Sequence, residues 1–224
     1  MDGSGSGGTT VGSVERLARF PLRAAAAEWL AEVLVGPSGL LDDRRWVVLD
    51  GEDQPVSGAD APWLRQVAVQ VVDGELTVDM GDGELRTRGD AAAALTGLAA
   101  AAGAGTDLAA VRIAGSTGHR AGVEPVHLVS AGAQSAPDAP DGCDPDPRAN
   151  LVLTLDAPGA ERGWTGRQVQ VGEVVLEVTG TPRRCLGVYA RVLGPGRVRV
   201  GDPVVLLPPA PPPGSAAGPG DSRR

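Results

Sequence analysis

The sequence predicts a mainly β chain with one or a few short helices. Three observations carry this. Short runs of β-branched and aliphatic residues recur along the chain and are broken by Gly and Pro, most densely over 168–178. Two Asp-Gly pairs, Asp50-Gly51 and Asp73-Gly74, sit where a hairpin would turn back. Only one stretch, 90–102, strings helix formers between a polar cap, Asp90, and a Gly stop, Gly103.

Taken in order, residues 1–12 are a Gly/Ser-rich flexible lead. The first strand is expected over 13–20, stopped by Pro21. Residues 24–35 mix alanine with Glu28, Trp29 and Glu32, which propensity alone reads as a helix. Gly36-Pro37-Ser38-Gly39 is a turn. Trp46-Val47-Val48-Leu49-Asp50 is a strand, and 67–72 with 75–79 form a hairpin across Asp73-Gly74. The helix over 90–102 is nearly all alanine with Leu95 and Leu98, so its buried stripe is thin. A short strand follows at 111–113. Residues 136–147 are a Pro/Asp loop holding Cys143, and 208–224 a Pro/Gly/Ser tail with no core-forming residues in strength.

At 224 residues the chain has room for one large β domain or two small ones, with a core of its own. One Phe, one Tyr and four Trp leave Val, Leu and Ala to fill that core. Every basic side chain apart from the two histidines is arginine. The net charge of −8 disfavours nucleic-acid binding, which leaves a basic footprint, but permits a local basic pocket for a small anion. Two cysteines, Cys143 and Cys185, are too few to hold an iron–sulfur cluster alone or to make a disulfide framework. The N-terminus lacks an apolar signal core, and no run approaches a membrane span, so the expectation is a cytoplasmic protein without membrane contact. His119 and His127 are too far apart to suggest zinc, and no P-loop or Ser-His-Asp arrangement is visible.

Cys185 follows two arginines, Arg183 and Arg184, where a turn would lead into the next strand. Positive charge beside a thiol favours the thiolate, a nucleophile and soft-metal ligand. A small buried hydrophobe is the plainer alternative.

The stretch 148–207 resembles the MOSC family, named for the C-terminal domain of molybdenum cofactor sulfurases. The residues that carry the resemblance are Arg148-Ala149-Asn150, Glu161 with Trp164, Val171-Gly172, Arg184-Cys185 and Val200-Gly201-Asp202. Ala149 stands where the family usually has proline. The first third is similar to the N-terminal domain often fused to MOSC, through Phe20-Pro21-Leu22-Arg23-Ala24 and Asp43-Arg44-Arg45-Trp46. Arg23 replaces the usual lysine, and the family's later Thr-x-Arg, expected near Val56-Ser57-Gly58, lacks its arginine.

The resemblance implies a MOSC β-barrel at 125–207 and a smaller MOSC N-terminal-like β domain at 13–88, joined by a helical linker at 89–124. It replaces the helix at 24–35 by a turn and a strand over 29–35. It implies the molybdenum cofactor (molybdopterin), with Cys185 as catalytic residue and metal ligand. Arg23, Arg44, Arg148, Ser130 and Asn150 would hold the pterin and its phosphate; Arg suits this because its planar fork takes a phosphate or a heterocycle edge in bidentate fashion. Three solvated or ion-paired arginines are the alternative, and Asn150 could instead stabilise its own turn. Asp202, Glu161 and Trp164 read as structural. Pyridoxal phosphate binding is a further family-level association. The implied activity is two-electron reduction of N-hydroxylated small molecules, with electrons from a separate protein of the ferredoxin or flavin reductase type. Alternatives are a non-catalytic carrier of cofactor or sulfur, or a degenerate scaffold that binds nothing.

Overall fold

Strands account for 47% of the described residues, so the fold is mainly β as the sequence predicts. The computed structural model describes residues 7–79, 84–102, 111–116, 124–136, 147–182 and 186–209. Cys185 lies outside the described residues, as do Arg183, Arg184, Cys143, His119, the first six residues and the tail beyond 209.

The first half of the chain supplies β1 (Thr9–Arg19), β2 (Glu28–Leu30), β3 (Glu32–Gly36), β4 (Gly39–Leu40), β5 (Trp46–Leu49), β6 (Ala68–Val72), β7 (Glu75–Asp79), β8 (Leu85–Thr87), the helix α1 (Arg88–Ala101) and β9 (Arg112–Gly115). The second half supplies β10 (Val126–Ser130), β11 (Leu151–Leu155), β12 (Gln168–Val171), β13 (Val174–Gly180), β14 (Val188–Gly194), β15 (Gly196–Arg199) and β16 (Pro203–Leu206).

Seven strands close into a barrel in the order β11-β10-β14-β13-β12-β16-β1, and β1 pairs back with β11. Only β10–β11 is parallel. The long first strand makes closure possible. It pairs with β16 near its start and β11 further along, and each ladder has a register shift, at Thr10/Gly12 and Val14/Arg16. Such bulges bend a strand and let it bridge two edges. Pairing with β16 also extends β1 to Thr9, four residues before the start read from sequence.

The barrel core follows the period of two along each strand. Val174, Leu176 and Val178 of β13, Val169 and Val171 of β12, and Leu151, Leu153 and Leu155 of β11 all point inward. Trp164 joins them, with Leu17 from β1. On β10 every residue is buried. Val126 and Leu128 fill the barrel. Val129 packs outside it with Ala149, Val152 and Leu186, and His127 lines an external cleft.

A second core lies beside the barrel, where α1 packs Ala91, Leu95 and Ala99 against Leu64, Leu76 and Val78. The i, i+4, i+8 spacing gives the narrow apolar stripe the sequence predicts. The N-cap is Thr87 rather than Asp90. Asp90 sits in the first turn, where its charge favours the helix dipole, and its carboxylate lies 3.3 Å from the Thr87 hydroxyl. Residues 28–36 form two strands, not one helix. The chain changes partner at Ala31, with β2 on β1 and β3 on β15. Glu32 steadies the second pairing by binding Arg197 at 2.9 Å and Arg199 at 3.1 Å.

The two cores meet where the chain crosses from Leu17 to Leu22. Leu17 belongs to the barrel core and Leu22 to the second. The crossing segment is Phe20-Pro21, and the candidate site is built on it.

Candidate functional site

Backbone hydrogen bonds lace the crossing segment to the turn before β5. Arg44 N–H donates to Phe20 O, Trp46 N–H to Pro21 O and Arg23 N–H to Trp46 O, each at 2.9 Å. These bonds put Arg23 and Arg44 at the seam. The turn holds Asp42 and Arg44 at φ of 63° and 53°, in the left-handed region that non-Gly residues seldom adopt. Such backbone persists where surrounding contacts over-determine it.

Asp43, between them, supplies those contacts. It is buried. Its Oδ1 accepts the Phe20 N–H at 2.7 Å. Its Oδ2 accepts from the Arg44 guanidinium and from Asn150 Nδ2, the latter at 3.1 Å. Asn150, fully buried, accepts the His127 N–H at 3.1 Å and also donates to Ala18 O at 3.3 Å. One carboxylate and one amide thus tie four segments of chain together. The Asn150 side chain is committed to the protein, bracing the crossing segment against the start of β11.

The seam opens into a cleft of about 620 Å³. The second-core side contributes Arg23, Arg44, Ser57, Gly58 and Arg65; the barrel side contributes His127, Arg148, Asn150 and Tyr189. Four arginines from four separate segments therefore converge on one cleft, with Glu124 as an acidic neighbour. Arg44 and Arg148 both stack on the Phe20 ring, at 5.3 Å and 4.1 Å from its centroid. Arg148 also donates to the Ala25 carbonyl. The ring contact and these hydrogen bonds restrain both guanidinium groups beside the cleft.

Of the residues singled out from the sequence, Arg23, Arg44, Arg148 and Asn150 meet in this cleft. Ser130 does not. It lines an adjoining cavity, where its hydroxyl accepts the Gly159 N–H at 2.7 Å and its own N–H donates to buried Glu161 at 3.1 Å. Asp202 accepts the Arg199 N–H at 2.7 Å, in the turn before β16. Sequence reasoning missed Arg65, which comes from a short 3-10 turn (Pro62–Gln66) and brings positive charge to the cleft where the Thr-x-Arg arginine is lacking.

It also missed His127. The ring is buried, 5.0 Å from the Tyr189 ring, with Nε2 2.8 Å from the Leu186 carbonyl oxygen. Burial, with the Arg44 charge adding to it, pushes its pKa below the usual range, against the hydrogen bonds to the Leu186 and Arg148 backbone. Unfolded His127 takes up a proton at a pH where the folded ring stays neutral. Its contribution is therefore fully present above the ordinary histidine pKa and is lost as pH falls toward the depressed folded value. Urea unfolding at pH 7.5 and 5.5 should show a smaller loss of stability in His127→Gln than in the wild type; equal losses would mean that this ring does not carry the dependence.

The cleft at the seam between the closed barrel and the second core has a largely cationic lining, chemistry that suits a small anion. Residues 11–114 match the model of the MOSC N-terminal beta barrel domain family. The matched span starts within β1 and takes in the crossing segment, Arg23, Arg44 and Arg65. A search of the curated proteins gave no match. No helix among the described residues is long and apolar enough to cross a membrane.

Proposed function

We propose that the seam cleft binds the molybdenum cofactor and that the protein is an oxidoreductase acting on N-hydroxylated small molecules. The observation that carries this is the convergence of Arg23, Arg44, Arg65 and Arg148 on one cleft, in a chain whose matched domain family is associated with that cofactor. The donor set fits the group. Guanidinium forks suit a phosphate and the edge of a pterin, and Tyr189 adds a hydroxyl group to the lining. Arg23, Arg44, Arg65 and Arg148 hold the ligand, while Asp43 and Asn150 keep Arg44 and the crossing segment in place. Cys185 is the protein ligand to molybdenum in this reading. Leu186, the residue after it, is tied to the cleft through its carbonyl bond with His127. The bound cofactor would supply two-electron redox chemistry, and a separate electron-transfer protein would supply the electrons.

Molybdenum per chain, measured by elemental analysis after expression in a host that makes the cofactor, tests this. The wild type should carry close to one equivalent. Cys185→Ser and Arg44→Gln should each carry several-fold less. Equal metal in the wild type and Cys185→Ser would remove the ligand assignment, and no metal in the wild type would sink the reading. Reduction of an N-hydroxylated substrate with a supplied electron donor then separates an enzyme from a cofactor carrier.

A further inference from the structure

Among the described residues, Asp43, His127 and Glu161 are buried and titratable, and of these only His127 lines the seam cleft. We propose that an anion entering the cleft draws a proton onto the His127 ring, so that the site holds anions more tightly in mildly acid than in alkaline solution. The proposal rests on the reading of the cleft as an anion site, but not on which anion it holds.

The argument starts from how the ring is held. Its Nε2 lies 2.8 Å from Leu186 O, and the ring also hydrogen-bonds the Arg148 backbone. Both contacts favour the charged ring. A neutral imidazole has one N–H to give, whereas an imidazolium has two. The ring's place is fixed on its other sides. Tyr189 packs 5.0 Å away, centroid to centroid, and a Cβ on Gly187 would lie 3.1 Å from Nε2. The His127 backbone is tied twice to Asn150: its N–H donates to Oδ1 at 3.1 Å, and its carbonyl accepts the Asn150 N–H at 2.8 Å. The slot therefore suits the charged ring with no change of position.

Two things oppose the proton. Burial comes first, and the Arg44 charge adds to it even though Arg44 is paired with Asp43. An anion in the cleft works against both, because a negative charge near a buried ring favours its protonated form. The other ionisable groups of the lining, Arg23, Arg65, Arg148, Glu124 and Tyr189, stand there whether the ligand is bound or not, so the ligand is what changes the ring's surroundings. Linkage gives the sign. An anion that makes the ring a better base is bound more tightly by the protonated ring, by the same factor. Anion affinity is highest below the pKa of the free ring, falls as pH rises to that of the liganded ring, and is level above it.

Sulfate is the probe, since it stays divalent across the pH range used. It is titrated into the full chain purified from a host that makes no molybdenum cofactor, at fixed ionic strength. Proton NMR follows the rings of the two histidines, His119 and His127. His127 is identified by its contact with Tyr189, the one tyrosine of the chain. Saturating sulfate should raise the titration midpoint of His127. The sulfate dissociation constant should be at least about three-fold lower at pH 5.5 than at pH 7.5, against a ceiling of about ten-fold per pH unit for one proton. His127→Gln should bind sulfate without that slope. Sulfate binding that leaves the His127 midpoint in place would overturn the proposal, and this readout needs no variant. So would a slope that survives in folded His127→Gln, or no binding at tens of millimolar sulfate. Proton-linked sulfate binding in a chain that retains no molybdenum would remove the cofactor reading and keep this one; molybdenum retention with an unmoved His127 would do the reverse.

Discussion

Asp43→Ala should lower the free energy of unfolding by about 3–5 kcal/mol, the scale seen when one partner of a buried charged pair is removed. Three donors lose their acceptor at once: the Phe20 N–H, the Arg44 guanidinium and Asn150 Nδ2. The Phe20 N–H is left in a dry site, where an unsatisfied donor costs about 1–3 kcal/mol, while Asn150 keeps its bond to Ala18 O and Arg44 borders the cleft. Asp43→Asn should be intermediate. Its single amide oxygen can serve either the Phe20 N–H or the side-chain donors, and its NH2 would face other donors on the remaining side. Urea unfolding measures both; the midpoint should fall in the order wild type, Asn, Ala, with the slope preserved. The change should also reach the cleft. Without its carboxylate the turn has less to hold Arg44 in left-handed backbone, so molybdenum retention should drop even at a pH and temperature where the variant is folded. A loss of stability under 1 kcal/mol would show that the hub is not a determinant of the seam.

How far the sequence reveals this site depends on the range of the contacts. The strand at Trp46 and the hairpin across Asp73-Gly74 are local, and the structure has them where β-branched runs and turn residues place them. Barrel closure is not local. β1 pairs with β11 and β16, far along the chain, and nothing in residues 9–19 alone names those partners. Asp43 lies in a readable motif, Asp43-Arg44-Arg45-Trp46, but its role depends on Phe20 and Asn150, 23 and 107 residues away. His127 is hidden for a different reason. Every residue of β10 is buried, so alternation gives no sign of which face meets the cleft. Arg65 sits in a five-residue turn with Pro62 near its start and no periodic pattern around it. Trp29 belongs to a segment whose propensity reads as helix; β1 and β15 override that by pairing with the strands on either side of Ala31.

Gly187→Ala should destabilise the protein by about 3 kcal/mol or more, because two independent effects add. The backbone there is left-handed, at φ +83°, which costs an L-residue roughly 1–2 kcal/mol. The added Cβ would also lie 2.0 Å from the Leu128 carbonyl oxygen and 3.1 Å from His127 Nε2. The first of these is backbone of the neighbouring strand and cannot swing aside as a side-chain tip could. Gly74 provides the control. Its φ is almost the same, +80°, but a Cβ there meets nothing within 4 Å. Gly74→Ala should therefore show the backbone cost alone, and the difference between the two variants in urea unfolding isolates the close approach of β14 to β10. The clash falls beside the His127–Leu186 hydrogen bond, one residue from the chain that leads back to Cys185. Gly187→Ala should consequently lose molybdenum in the retention assay while Gly74→Ala keeps it. Equal stabilities for the two variants would show that β14 can move away from Leu128 at little cost, and that the tight approach does not position this part of the cleft.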